Sequence, residues 1–196
     1  IICESVFPLP QIVAEILSNS VFVWGMTMKK NVIQESRDLY GIDDWGSGYF
    51  GISDKGTVEV YPFGNKQVSV ELSKILSIAA DKKVKTPLIV RSPQILDTQL
   101  TRLQNAFRSA MEDFKYDGDL RAVFPFKVNQ RKEFIDDLVS SGKKHIYGLE
   151  VGTKPELFAA LAYDIHPEAL FVCNGFKDSH FIELAFDAKK MGKNVV

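Results

Sequence analysis

Cysteine, histidine and net charge are all scarce in this sequence of 196 residues. The two cysteines, Cys3 and Cys173, lie far apart, which favours free thiols in a reducing, cytoplasmic compartment over a disulfide framework. The three histidines show no metal-ligand spacing, so we expect no metal site built from them. A formal net charge of -1 provides no basic field to attract nucleic acid.

A long uninterrupted apolar run is also missing. Residues 1–25 are largely apolar, but they are interrupted by Glu4, Pro8, Pro10, Glu15 and Asn19. No stretch reaches the ~18–20 residues that span a bilayer, and no basic segment precedes the apolar one as in a secretory signal. We therefore expect no membrane segment and leave residues 1–28 as an unassigned leader.

Apolar residues nevertheless make up 45% of the chain, enough to build the core of one domain or of part of a larger one. Residues 49–53 and 57–61 have strand character and flank a turn that contains Gly56, which predicts a β-hairpin. A further apolar run of strand type covers residues 87–91. We therefore predict a small β-rich segment over residues 29–91.

A regular repeat begins after a helix predicted to start at Ser92-Pro93, where serine is a favourable N-cap. Apolar residues then recur at helical spacing, namely Leu96, Leu100, Leu103, Phe107 and Met111. Further on, apolar runs centre every 24 residues, near Val123, Tyr147, Phe171 and Val195. Helical patterns lie between these runs, with Gly142 and Gly192 at expected C-caps.

Short apolar runs that alternate with helices indicate an α/β fold with a parallel sheet buried on both faces. Equal spacing is typical of a (β/α)8 TIM barrel, and four strands would make half of one. We therefore predict that residues 92–196 form the first half of such a barrel, truncated within its fourth strand. An open doubly wound sheet is the alternative.

Polar residues end the first three predicted strands: Lys127, Glu150 and Asn174, which are 23 and then 24 residues apart. The carboxyl ends of barrel strands carry the catalytic groups, so these residues should lie at one level. A lysine buried among Phe124, Phe126 and Val128 would have a lowered pKa and be nucleophilic, whereas the alternative is a solvated surface lysine.

The acids in this region have structural explanations as well. Glu150 could simply cap the loop after its strand. Glu156 fits a capping box with Thr153 as N-cap, and Pro155 suits the first helical turn. A GxGxxG match at residues 46–51 is followed by a strand and a hairpin turn, which does not fit the dinucleotide-binding context.

Residues 124–130 (FPFKVNQ), 148–157 (GLEVGTKPEL) and 172–178 (VCNGFKD) closely resemble biosynthetic arginine decarboxylases, alanine-racemase-like pyridoxal-phosphate enzymes. The resemblance extends from about Ser36 to the end. Phe124 replaces the usual tyrosine of this family, and residues 151–153 (VGT) replace the usual Ala-Gly-Ser. The family's phosphate loop and substrate-side residues would lie beyond Val196.

The resemblance implies that Lys127 holds pyridoxal 5'-phosphate through a Schiff base, with Glu150 beside the cofactor. It further implies that Glu156 supports the site and that Asn174 lines its mouth. The implied reaction converts L-arginine to agmatine and CO2 in a homo-oligomeric enzyme that uses Mg2+ in many relatives, with the isolated chain inactive. The alternatives are a decarboxylase or racemase of the same fold that acts on another amino acid, and a non-catalytic product, either a cofactor-binding protein or a truncated one.

Overall fold

The computed structural model describes residues 30–196, and these belong to two compact units whose boundary along the chain lies between Ser92 and Pro93. The predicted leader and Cys3 lie outside the described residues. None of the helices in residues 30–196 is both long enough and apolar enough to cross a membrane.

In its described part, residues 30–92, the first unit combines three helices with a small antiparallel sheet in the order β1-β2-β3. The helices are α1 (Lys30–Leu39), α2 (Ile42–Trp45) and α3 (Leu72–Asp81), and the strands are β1 (Phe50–Ile52), β2 (Val58–Val60) and β3 (Val70–Glu71). The predicted hairpin is confirmed, because β1 pairs antiparallel with β2. Its connecting turn uses Gly56 at a φ of 79°, a left-handed conformation that glycine adopts at little cost.

Two predictions for this part of the chain are wrong. The unit is not β-rich, because helices hold more of its described residues than strands do. In α3 the apolar residues Leu72, Ile75 and Ala79 recur at helical spacing, a pattern that the sequence reading missed. The run at residues 87–91 forms no strand, and Ile89 remains 62% exposed, since no described strand pairs with this run.

The second unit is an α/β structure with a four-stranded parallel sheet in the order β4-β5-β6-β7, as the repeat predicted. Its helix α4 begins at Pro93, as predicted. In chain order the elements are α4 (Pro93–Asp113), β4 (Val123–Pro125), a 3-10 turn (Phe126–Val128), α5 (Lys132–Gly142), a second 3-10 turn (Lys143–His145), β5 (Gly148–Val151), α6 (Lys154–Leu161), β6 (Leu170–Cys173), α7 (Ser179–Lys190) and β7 (Asn194–Val195).

One face of this sheet packs against the helices. A row of paired residues crosses all four strands at Phe124, Leu149, Phe171 and Val195. This row belongs to the same apolar cluster as the helical residues Ile135, Leu138, Leu157 and Phe181. The next row holds Pro125, Glu150 and Val172. Since strand side chains alternate between faces, that row points away from the helical layer.

The predicted burial on both faces is therefore only partly correct. Pro125 and Val172, which share a row with Glu150, are only half-buried. In the neighbouring row, Leu149 and Phe171 are almost fully buried. The helical patterns likewise include exposed positions, since Phe158 is 73% and Phe107 is 48% exposed. These side chains occupy helix faces that no described element covers.

The two predicted glycine C-caps have different outcomes. Gly192 follows α7 with a φ of 83°, which confirms the prediction. Gly142 is the last residue of α5 and keeps a right-handed φ of -74°, so that prediction is wrong. A β-carbon at Gly142 would lie 3.0 Å from the β-carbon of Tyr147, so glycine serves close packing there instead.

Candidate functional site

Lys127 lies just beyond β4, in the middle of the 3-10 turn Phe126–Val128. Phe126 points into the core and is 4% exposed, whereas Lys127 and Val128 both face solvent. The prediction that the amine of Lys127 is buried is therefore wrong. The physical reason is that the strand ends two residues earlier than expected, and the tight turn buries only one of its three side chains.

Glu150 is the buried acid of the site, with 7% exposure, and it precedes the last residue of β5. Asn174 follows β6 directly, and its Nδ2 donates a hydrogen bond of 3.0 Å to Oε1 of Glu150. The backbone N–H of Asn174 donates to the carbonyl of Val151 at 2.8 Å. The structure thus brings two of the three strand-end residues into contact and fixes the orientation of the carboxylate.

Glu156 lies in the first turn of α6 and is also buried, at 9% exposure. Its backbone N–H donates to Oγ1 of Thr153 at 3.3 Å, so the predicted N-cap is confirmed. The second hydrogen bond of the capping box, made by the side chain of Glu156, differs from the prediction. Oε2 of Glu156 accepts from the backbone N–H of Gly152 at 2.8 Å, one residue before the cap, rather than from Thr153 itself.

Gln130 is a site residue that the sequence reading did not identify. Its Nε2 donates to Oε1 of Glu156 at 2.9 Å, which joins the loop after β4 to the start of α6. Gln130 stands within the FPFKVNQ segment, but a lone glutamine in a loop has no periodicity or charge that would indicate its partner. Only the fold places it beside an acid 26 residues away.

Gly175 brings the third loop of the site close to the second. Its φ is 74°, and a β-carbon there would lie only 2.4 Å from the carbonyl oxygen of Gly152. The loop after β6 therefore packs backbone to backbone on the loop after β5. This contact keeps Asn174 within reach of Glu150.

Replacing Gly175 with alanine should destabilise the protein by about 1–3 kcal/mol, since the new side chain meets a left-handed backbone and a neighbouring carbonyl. Gly192→Ala is the matched control, because Gly192 has a similar φ of 83° but nothing within 4 Å of its β-carbon position. Thermal unfolding of both variants measures the difference. Equal losses of Tm would show that the contact with Gly152 contributes nothing.

The pKa values of a carboxyl and of a thiol at the carboxyl ends of these strands are shifted by their surroundings. The ammonium of Lys154 and the backbone N–H of Phe181 both lower the pKa of Asp178, the N-cap of α7. Burial raises the pKa of Cys173, so this free thiol stays protonated near neutral pH. Cys173 is therefore a poor candidate for a nucleophile at this edge.

Comparisons with known proteins bear on this site directly. A family model described as the pyridoxal binding domain of pyridoxal-dependent decarboxylases matches residues 98–195. The chain is 40% identical over 168 residues to a biosynthetic arginine decarboxylase of Phocaeicola vulgatus, covering 86% of this chain and 26% of that protein. It is 39% identical over 170 residues to one of Prochlorococcus marinus, with the same coverage of 86% and 26%.

A solved structure agrees with these matches. The crystal structure of the biosynthetic arginine decarboxylase from Campylobacter jejuni is 38% identical, with a TM-score of 0.73, over 80% of this chain and 26% of that one. The chain thus spans about a quarter of the length of these relatives. On the match over residues 98–195, the chain belongs to the pyridoxal-dependent decarboxylase family.

Proposed function

We propose that this chain supplies the cofactor lysine and the adjacent acid of an enzyme, a lyase that decarboxylates L-arginine to agmatine. The observation that carries the proposal is the grouping of Lys127, Glu150 and Asn174 at the carboxyl ends of three adjacent parallel strands. Relatives at about 40% identity that are named biosynthetic arginine decarboxylase support the choice of substrate. Assembly into a homo-oligomer and use of Mg2+ belong to the same proposal.

We infer that the parallel sheet is the first half of a (β/α)8 barrel. Its strands follow one another in chain order, whereas a doubly wound sheet reverses its order at a switch point. The helical cluster also lies on the face that carries Leu149 and Phe171, as expected for an outer ring of helices. Glu150, on the opposite face, would then point into the barrel.

The described residues fit pyridoxal 5'-phosphate, the cofactor of the family. An aldehyde requires an accessible amine, and Lys127 is exposed beside the strand ends. Glu150 supplies a buried carboxylate, and Asn174 holds one of its oxygens. When bound, the cofactor supplies the electron sink that makes loss of CO2 from the α-carbon feasible.

In this proposal each residue has a defined task. The Nζ atom of Lys127 attaches the cofactor and afterwards holds or returns a proton near the reacting carbon. The carboxylate of Glu150, fixed by Asn174, provides a negative charge in a water-poor setting where it acts most strongly. Glu156 holds the adjoining loops together through Gln130 and Gly152.

The substrate is tested by assaying the whole protein, loaded with pyridoxal phosphate, on L-arginine, L-ornithine and meso-diaminopimelate. We expect release of CO2 and agmatine from arginine, with a kcat/KM about 10²-fold or more above the other two, because a site built to bind a guanidinium leaves polar groups unpaired when the substrate ends in an ammonium group. A higher kcat/KM for either competitor would reject arginine as the substrate.

A further inference from the structure

The side chain of Gln130 ties the segment that carries Lys127 to the next βα unit. Gln130 lies three residues after Lys127, and its Nε2 donates to Oε1 of Glu156 at 2.9 Å. The acceptor is a carboxylate with only 9% exposure. A hydrogen bond from a neutral donor to a carboxylate is among the stronger ones, and the acceptor of this bond is buried although Gln130 itself is exposed.

The carboxylate of Glu156 is itself held firmly. Its second oxygen accepts from the backbone N–H of Gly152 at 2.8 Å, while its own backbone N–H donates to Thr153. The carbonyl of Gly152 in turn packs against Gly175. Gln130 is thus anchored to a fixed point of the fold rather than to a mobile side chain.

The segment between β4 and Gln130 is short and held at both ends. Phe126 is buried at 4% exposure at one end, and Gln130 is hydrogen bonded at the other. At the second anchor, Oδ1 of Asn129 accepts from the backbone N–H of Arg131 at 3.2 Å, a turn that encloses Gln130. Lys127 and Val128 lie exposed between these anchors, so the anchors fix the backbone from which the side chain of Lys127 extends.

From this arrangement we propose that Gln130 is a positioning residue for Lys127, acting through Glu156. The proposal rests on the function proposed above, in which Lys127 attaches the cofactor. Gln130 itself touches neither cofactor nor substrate in this scheme. It restricts the backbone that carries Lys127, because an amine held near its attack geometry reacts faster than one that must first be oriented.

The test measures Lys127 chemistry without relying on turnover. The whole protein is incubated with pyridoxal phosphate across a range of pH values and reduced with borohydride, and the labelled lysines are quantified by peptide mass spectrometry. Gln130→Met keeps the size of the side chain but removes its donor. We expect a loss of about tenfold in the labelling rate of Lys127, with an unchanged rate at Lys177 and a nearly unchanged Tm.

The matched control is Gln99→Met, the same change at an exposed position of α4, which should leave labelling of Lys127 unchanged. Gln130→Glu places two carboxylates together and should slow labelling further than Gln130→Met. The double variant Gln130→Glu with Glu156→Gln exchanges the two side chains. The amide at position 156 can then donate a hydrogen bond to the carboxylate at position 130. We expect the double variant to label Lys127 at least about threefold faster than Gln130→Glu does, which is the size of effect that one regained hydrogen bond produces.

The outcomes separate this inference from the proposed function. If Lys127 is not labelled in the wild-type protein, the proposed function fails. If Lys127 is labelled there and Gln130→Met labels it within about twofold of the same rate, as for an ordinary surface substitution, only the positioning role is overturned. Should a variant fold poorly, hydrogen exchange of the wild-type protein decides instead: the Gly152 amide must be protected, and rapid exchange there would overturn the role of Glu156 as an anchor.

Discussion

Lys127→Arg in the whole protein should abolish covalent attachment of pyridoxal phosphate and lower arginine decarboxylation by on the order of 10³-fold or more. The substitution keeps the positive charge and the approximate length of the side chain. A guanidinium does not lose its proton in proteins, however, so it cannot act as the nucleophilic amine. Borohydride reduction followed by peptide mapping, together with a CO2-release assay, measures both effects.

Lys177→Arg is the control for this experiment. Lys177 is another exposed lysine at the same edge of the sheet, and its Nζ donates to the carbonyl of Gly175 at 3.2 Å. Arginine can make that hydrogen bond too, so cofactor attachment and turnover should stay within about twofold of the wild type, as for an ordinary surface substitution. A reduced cofactor found on Lys154 or Lys177 and not on Lys127 of the wild-type protein would refute the assignment of Lys127.

Glu150→Gln should reduce turnover by about 10²-fold while leaving the fold nearly intact. Glutamine has the same size, and its amide oxygen can still accept the hydrogen bond from Asn174. What it removes is a negative charge at a buried position, where the effective dielectric constant is low and charge has its strongest effect on bound groups. Steady-state kinetics and thermal unfolding of the same preparation measure the two consequences separately.

Two changes at Glu156 serve as the comparison. Glu156→Gln should affect turnover less than Glu150→Gln, since its single amide oxygen can still accept from the backbone N–H of Gly152. Glu156→Ala should cost about 0.5–2 kcal/mol of stability, by analogy with a lost helix cap. Equal, small losses of activity at both positions would make Glu150 only a strand-end acid. A large loss in Glu156→Gln with an unchanged Tm would instead place Glu156 at the reacting groups.

The sequence alone determined the class of the fold. A repeat of 24 residues between Val123, Tyr147, Phe171 and Val195 predicted strands that alternate with helices, and the structure has four parallel strands in chain order. Local chemistry was equally readable, as in the start of α4 at Pro93 and the N-cap at Thr153. These features depend on neighbouring residues in the chain, and neighbours are visible in the sequence.

The same reading failed where the outcome depended on partners elsewhere in the fold. Residues 87–91 have strand character, but a strand requires a neighbour with which to pair, and none of the described strands lies beside them. The segment before residue 92 was expected to be β-rich because its hairpin was conspicuous, while the apolar spacing of α3 was overlooked. Lys127 was expected to be buried by its apolar neighbours, yet a 3-10 turn directs it to solvent.

The site itself shows this division most clearly. The motifs indicated Lys127, Glu150, Glu156 and Asn174 one at a time, as residue types at strand ends or in a helix cap. Only the tertiary structure decided that Asn174 holds Glu150, that Gly175 packs on Gly152, and that Gln130 reaches Glu156. The physical reason is that parallel strands bring their carboxyl ends to one edge, so loops about 24 residues apart in sequence become neighbours whose hydrogen bonds no local pattern encodes.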